Sequence, residues 1–345
     1  MVSEVARLAA ARRNQEWVWS LLAAVGAASG PFVLGVIMIV LLVFAWPSIV
    51  WNGDTFFTTY IWNLGNLYGG APVIRSGYAA ASGASYGMLS FLVGTLLSSA
   101  LALVLAAPVG IGVAFCLSEF AGRGVSRVLS FFIELLAGVP SVIFGLWGFV
   151  VLVPWIQRTA GPALASLLGF IPIFRGPVPT GMGLLASGVV LGAMILPIIA
   201  AVSRDALRAV PAELREQGRA LGLTEWEVAR DLVWRIAAPG VTASCILALG
   251  RALGETMAVL MVSGNALNYL PSTIYSPIST IAATIVALLD SAMTDATGMA
   301  IHALAELAVV LFAVTVGVNL IAPAVVRRVG RQRGWVASWV TGGNP

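Results

Sequence analysis

The sequence predicts an all-α polytopic membrane protein with six transmembrane helices and both termini in the cytoplasm. Three observations carry that expectation. The chain is 59% apolar and only 10% charged over 345 residues, whereas ordinary globular domains are about a quarter charged. Six nearly charge-free runs are each long enough for a hydrocarbon core, which takes about 20 helical residues. The arginines gather in alternate connections, as they do where basic loops stay cytoplasmic.

The six runs lie near 25–49, 86–116, 130–156, 180–203, 238–262 and 302–325. The first follows a polar, arginine-bearing segment and lacks a small-residue cleavage site, so it reads as a retained span and not a signal peptide. With the amino terminus inside, fifteen arginines fall in cytoplasmic segments, three (Arg75, Arg158 and Arg175) in external loops, and Arg251 inside span five. That asymmetry requires an even number of spans and agrees with six. The organisation expected is a cytoplasmic segment 1–24, a six-helix transmembrane domain 25–328 with a cytoplasmic loop 204–237, and a cytoplasmic tail 329–345. The outer connections, near 50–85, 157–179 and 265–300, are rich in Gly, Pro, Ser and Tyr and suit reception of a soluble partner. Cys116 and Cys245 lie in apolar stretches and read as small buried hydrophobes, not as a disulfide or metal pair. The sole histidine, His302, suggests no metal site, and Glu306 reads as a solvated residue at the outer end of span six.

The stretch Arg204 to Arg235 carries six basic and six acidic residues and is patterned as two helices. Pro211 suits a first helical position with Glu213 in the opening turn, Gly222 suits a left-handed stop, and Thr224 with Glu227 spells a capping box. Leu214, Gly218 and Leu221 form a narrow stripe suited to a groove in another protein, while Trp226, Ala229, Val233 and Ile236 face back toward the membrane helices. Local signals alone also allow a solvated loop with ordinary caps.

Arg251 and Glu255 are four residues apart within an apolar run, which would place them on one helix face. A charge at a helix centre costs about 2.5–3.5 kcal/mol on insertion scales, so the pair is expected to face the bundle interior. The guanidinium is a fixed planar fork suited to tetrahedral oxyanions. Glu255 would hold that fork and compete for it, keeping anion binding weak enough for release, and Thr256 adds a hydroxyl. An ion pair that merely joins helices is the plainer alternative. In span three, Glu134 and the run to Pro140 and Ser141 offer a second polar point, where proline frees backbone groups at membrane depth. Pro140 could instead mark a simple kink.

The loop resembles the binding-protein-dependent ABC permease family, whose signature is Glu-Ala-Ala, a Gly six residues after the Glu, and a later Ile-x-Leu-Pro. Glu216 and Gly222 match; Gln217 and Gly218 replace the alanines, and Leu232, Trp234 and Arg235 depart from the last element. Leu-Gly-Arg-Ala-Leu-Gly-Glu-Thr-Met-Ala at 249–258 and Gly-Val-Pro-Ser-Val-Ile-Phe-Gly-Leu-Trp-Gly at 138–148 are similar to the PstC-type permease subunits of bacterial phosphate ABC importers. The resemblance covers roughly residues 20–328. It implies a type I importer fold in the bacterial plasma membrane and half of a phosphate pathway. The implied partners are a homologous second permease, two cytoplasmic ATPase subunits binding ATP and Mg, and an external phosphate-binding protein. Arg251 and Glu255 then map to the intramembrane charges, and Glu213, Glu216, Gly222 and Thr224 to the ATPase-coupling loop. No cofactor is expected on this chain, and no nucleic-acid partner. The alternatives are an ATP-independent anion channel or secondary transporter, which predicts no docking loop, and an intramembrane hydrolase, which needs a base at membrane depth, whereas the only histidine sits at a loop boundary and Asp290 and Asp295 lie in an outer loop. No phosphate-binding loop of the Gly-x-x-x-x-Gly-Lys type occurs, so the chain is not expected to hydrolyse ATP.

Overall fold

A computed structural model of the chain describes residues 2–66 and 69–333, so the end of the tail expected at 329–345 lies outside the described residues. The molecule is built of helices. Helix α1 (Val2–Asn52) leads into the short α2 (Thr55–Thr58) and four small strands, β1 (Trp62–Asn63), β2 (Val73–Arg75), β3 (Tyr78–Ala80) and β4 (Ser85–Tyr86). β1 pairs antiparallel with β4 and β2 with β3, giving two two-stranded ribbons. Helix α3 (Leu89–Phe115) continues as a π-helical turn to Phe120, α4 is Arg123–Ala137, and α5 (Ser141–Trp147) runs through α6 (Val153–Trp155) into α7 (Gly161–Leu168). There follow α8 (Leu184–Arg208), α9 (Ala212–Ala220), α10 (Glu225–Glu227), a π-helical turn and α11 (Trp234–Leu253). The chain closes with α12 (Met257–Val262), α13 (Ile281–Met293) and α14 (Met299–Arg333).

Six helices are long and apolar enough to cross a membrane: Leu22–Asn52, Leu89–Phe120, Ser141–Leu168, Leu184–Arg208, Glu225–Leu253 and Met299–Gly330. The number matches the sequence expectation, but spans three and five shift at both ends, to 141–168 and 225–253. Span three starts at Ser141 and not near 130, because Gly138, Val139 and Pro140 stop α4; Pro140 has no amide hydrogen and sits in extended backbone at ψ 141°. Span five ends at Leu253, where Gly254 leaves the helical conformation, and the residues up to 262 form the separate α12.

Small residues let the central helices approach closely, the packing expected where lipid supplies no hydrophobic drive between helices. A side chain at Gly188 would collide with Leu101, and one at Gly110 with Ile199, so α3 and α8 lie against each other. Ala102, Ala106, Leu191, Ile195, Ala248 and Val259 bury the contact of α3 and α8 with α11 and α12. A second core, including Trp51, Phe56, Trp62, Tyr86, Phe91, Met299 and Leu307, seals α1, the ribbons and α14 together. There Glu306 departs from its expected solvated setting. It is buried, and its carboxylate accepts hydrogen bonds from the Ser48 hydroxyl at 2.6 Å and the Asn52 amide at 3.2 Å. The cysteines also differ from expectation: Cys116 is exposed and Cys245 half-buried, both as free thiols.

Candidate functional site

Two helix breaks define the site. The first separates α4 from α5 at Gly138–Pro140, and the second separates α11 from α12 at Gly254–Thr256. α5 packs on α12 through glycine: a side chain at Gly145 would stand 2.9 Å from the Ala258 backbone, and one at Gly148 would stand 3.0 Å from Val262. Both helices run in the same direction, so these contacts set the two breaks at the same depth. Each break leaves backbone groups of the next turn without intrahelical partners. Ser141, half-buried, is the first residue of α5, and Thr256 precedes the first residue of α12.

Arg251 lies in the last turn of α11, and Glu255 in the break beyond it. They therefore do not share one helix face, as their spacing had suggested. Among the described residues Arg251 has no ion pair, and it stands exposed one turn after the exposed Leu247 on α11. The Glu255 carboxylate turns instead to the amide of Ala258, at 3.4 Å, and so sits at the start of α12. The Thr256 hydroxyl donates to the Gly254 carbonyl at 3.4 Å. The glycine between the charges is the physical reason: Gly254 breaks the helix that an (i, i+4) pair needs.

Glu134 does not join this group. It is on α4, largely exposed, and accepts from Arg204 of α8 at 3.3 Å; Asp205 accepts from the same guanidinium at 3.1 Å. Sequence inspection missed this pairing because the partners are 70 residues apart.

The charged hairpin after α8 follows its local signals closely. Pro211 stands one residue before α9, as its cap, with Glu213 in the first turn; Gly222 has φ +86°. Thr224 and Glu227 make the reciprocal capping box, with the Thr224 amide donating to Glu227 at 2.8 Å. The expected docking stripe does not hold together: Leu214 packs in a cluster with Leu207, Val210, Val228 and Val233, and Gly218 lies against Leu232 and Val228. Only Leu221 projects, 83% exposed. The stripe expected to face back is split as well, because Ala229 and Val233 are buried whereas Trp226 and Ile236 remain exposed. Trp226 nonetheless stacks on Phe120, with ring centroids 6.1 Å apart. An unforeseen tether fixes the hairpin: Arg215 bonds Glu119 at the end of α3 at 3.0 Å, and donates to the carbonyls of Val210 and Leu207 at 2.6 and 2.9 Å. Glu216 stays on α9, between that tether and the exposed turn.

Residues 106–331 match the family described as binding-protein-dependent transport system inner membrane component. The chain is 44% identical over 283 residues to the Phosphate transport system permease protein PstC 1 of Mycobacterium tuberculosis, covering 81% of this chain and 83% of that one. It is 36% identical to the protein PstC of the same description from Mesorhizobium japonicum, over 87% of this chain and 86% of that one. The Haemophilus influenzae protein of that description is 35% identical, over 93% and 97%.

Proposed function

The chain belongs to the binding-protein-dependent transport system inner membrane component family, and from that premise we propose that it is a transmembrane permease subunit of an ATP-driven importer of inorganic phosphate. The observation that carries the phosphate assignment is likeness along nearly the whole chain to proteins described as phosphate transport system permeases. In this reading the chain sits in the bacterial plasma membrane with both termini cytoplasmic. ATP and Mg are bound by a pair of partner ATPases, not by this chain. A homologous second permease completes the pathway and an external phosphate-binding protein delivers the anion.

Arg251 is the oxyanion carrier of this half. Among the described residues its guanidinium pairs with no carboxylate, and it is exposed beside a helix break, where a sister subunit would close the passage. The planar donor fork reads phosphate oxygens, while Thr256 and Ser141 add hydroxyls at the level of the breaks. Glu255 caps α12, and its negative charge near the path keeps residence short. α9 and its Gly222 turn form the piece that docks on the ATPase, with Glu213, Glu216 and Thr224 shaping it and Arg215 transmitting its movement to α3 through Glu119. The hairpin favours this reading over an ATP-independent channel, which has no use for a capped and tethered cytoplasmic helix.

The test is Arg251→Gln in the complete reconstituted complex. Phosphate uptake should fall to background while the four components still co-purify and ATP hydrolysis stays measurable. Uptake at the unaltered rate would remove Arg251 from the pathway.

A further inference from the structure

Helix α4 is amphipathic the wrong way round for a surface helix. Arg123, Ser126, Arg127, Ser130 and Glu134 line one side of a cleft of about 710 Å3 between α4 and α8, with Arg204 and Arg208 on the other. The opposite face of α4 exposes Val125, Val128, Leu129, Phe132 and Leu136. A helix on a soluble domain buries its apolar stripe. One that turns its charges inward and its hydrocarbon outward suits a water-filled passage inside and lipid or an apolar neighbour outside.

The cleft is strongly basic. Four arginines line it against a single carboxylate, Glu134. Arg204 is neutralised by Glu134 and Asp205. Arg208 donates to the Ser126 hydroxyl at 2.7 Å, and Arg123 and Arg127 have no carboxylate partner among the described residues. A second observation points to a ligand: the Ser130 hydroxyl is buried in this lining with no hydrogen-bond partner. Six other buried polar atoms among the described residues also lack a partner, but of these groups only Ser130 lines the cleft. The amino-terminal end of the 15-residue α4 adds positive potential on the same side. Arg251, Glu255 and Thr256 do not line this cleft.

We propose that the cleft is a second oxyanion site, on the ATPase side of the permease, which takes inorganic phosphate after it passes the helix breaks. The proposal rests on the phosphate-import reading for the identity of the anion. Two uncommitted guanidinium forks and an unsatisfied hydroxyl supply the donors, and Glu134 beside them limits how tightly the anion is held. Because Arg123 and Arg127 are exposed, binding is weak and salt-sensitive, as an exit station requires.

The test uses a Phe131→Cys reporter at the cleft wall, with Cys116 and Cys245 replaced by serine, in the complete complex in vesicles of phosphatidylcholine. Inorganic phosphate should slow maleimide labelling of the reporter, and chloride at equal ionic strength should not. Arg123→Gln with Arg127→Gln should raise the phosphate needed by roughly tenfold, the scale of losing charge-assisted hydrogen bonds; Ser130→Ala should raise it less. Absence of protection, or protection indifferent to the two arginines, overturns the proposal. So does shielding by phosphatidylglycerol without phosphate, which would mark a headgroup site, and so does loss of the ATPase from the doubly substituted complex, which would mark a docking face. Uptake measured in parallel separates the two readings: protection without any uptake by the parent complex would leave the cleft standing and remove the transport assignment.

Discussion

At the scale of single residues, chemistry was more legible than pairing. Arg251 was recognisable because a permanent charge in an apolar run requires a reason. Its supposed tether to Glu255 was not real, because one glycine ends the helix between them. Glu306 shows the converse. Nothing in its neighbourhood along the chain announces that Ser48 and Asn52, more than 250 positions earlier, will cover it. Its substitution separates hydrogen bonding from charge. Glu306→Gln keeps an acceptor for Ser48 and should leave thermal stability in detergent nearly unchanged. Glu306→Ala leaves the buried Ser48 hydroxyl without its acceptor, while the Asn52 amide keeps Ser48 at 2.8 Å, and should cost on the order of 1–3 kcal/mol, read as a lower melting temperature and as easier proteolysis within α1. Equal behaviour of the two variants would show that the carboxylate does not hold α1 to α14.

Among the elements, the hairpin after α8 was the most readable, since its signals are local: a proline before the helix, a glycine at the turn, a threonine three residues before a glutamate. Gly222 adopts φ +86° with no neighbour within 4 Å of where a side chain would stand. Strain and not collision therefore governs its replacement. A left-handed residue costs roughly 1–2 kcal/mol, and a β-branched side chain sits at the upper end. Gly222→Val should fold and insert, but it should reshape the turn and uncouple ATP hydrolysis from uptake, or release the ATPase. Gly222→Asn, which tolerates the left-handed region better, should retain more coupling. Normal coupling in the valine variant would count against α9 as the docking helix. The direction of the α9 stripe was not readable, because Leu214 and Gly218 are claimed by the π-helical turn that follows α10, and a wheel projection of one helix cannot see its neighbour.

For the whole molecule, the distribution of arginines makes an orientation that labelling can check. In a background without Cys116 and Cys245, a cysteine at Thr273 in the connection before α13 should react with a membrane-impermeant maleimide on intact cells. One at Arg219 in the hairpin should react only after the membrane is opened. The reverse pattern would invert the topology. By itself the sequence determined the number of spans, the class of fold, the capped hairpin and the residue types able to meet an anion, because hydrophobic length, helix caps and charge cost are properties of short stretches of chain. Tertiary structure alone decided that the breaks at 138–140 and 254–256 share one depth, that Glu134 belongs to Arg204, that Arg215 anchors the hairpin to α3, and that α4 sets its arginines along a cleft with α8. Each of those depends on which distant helix lies alongside, and close approach at glycine and burial of a shared face are settled only when the whole bundle is packed.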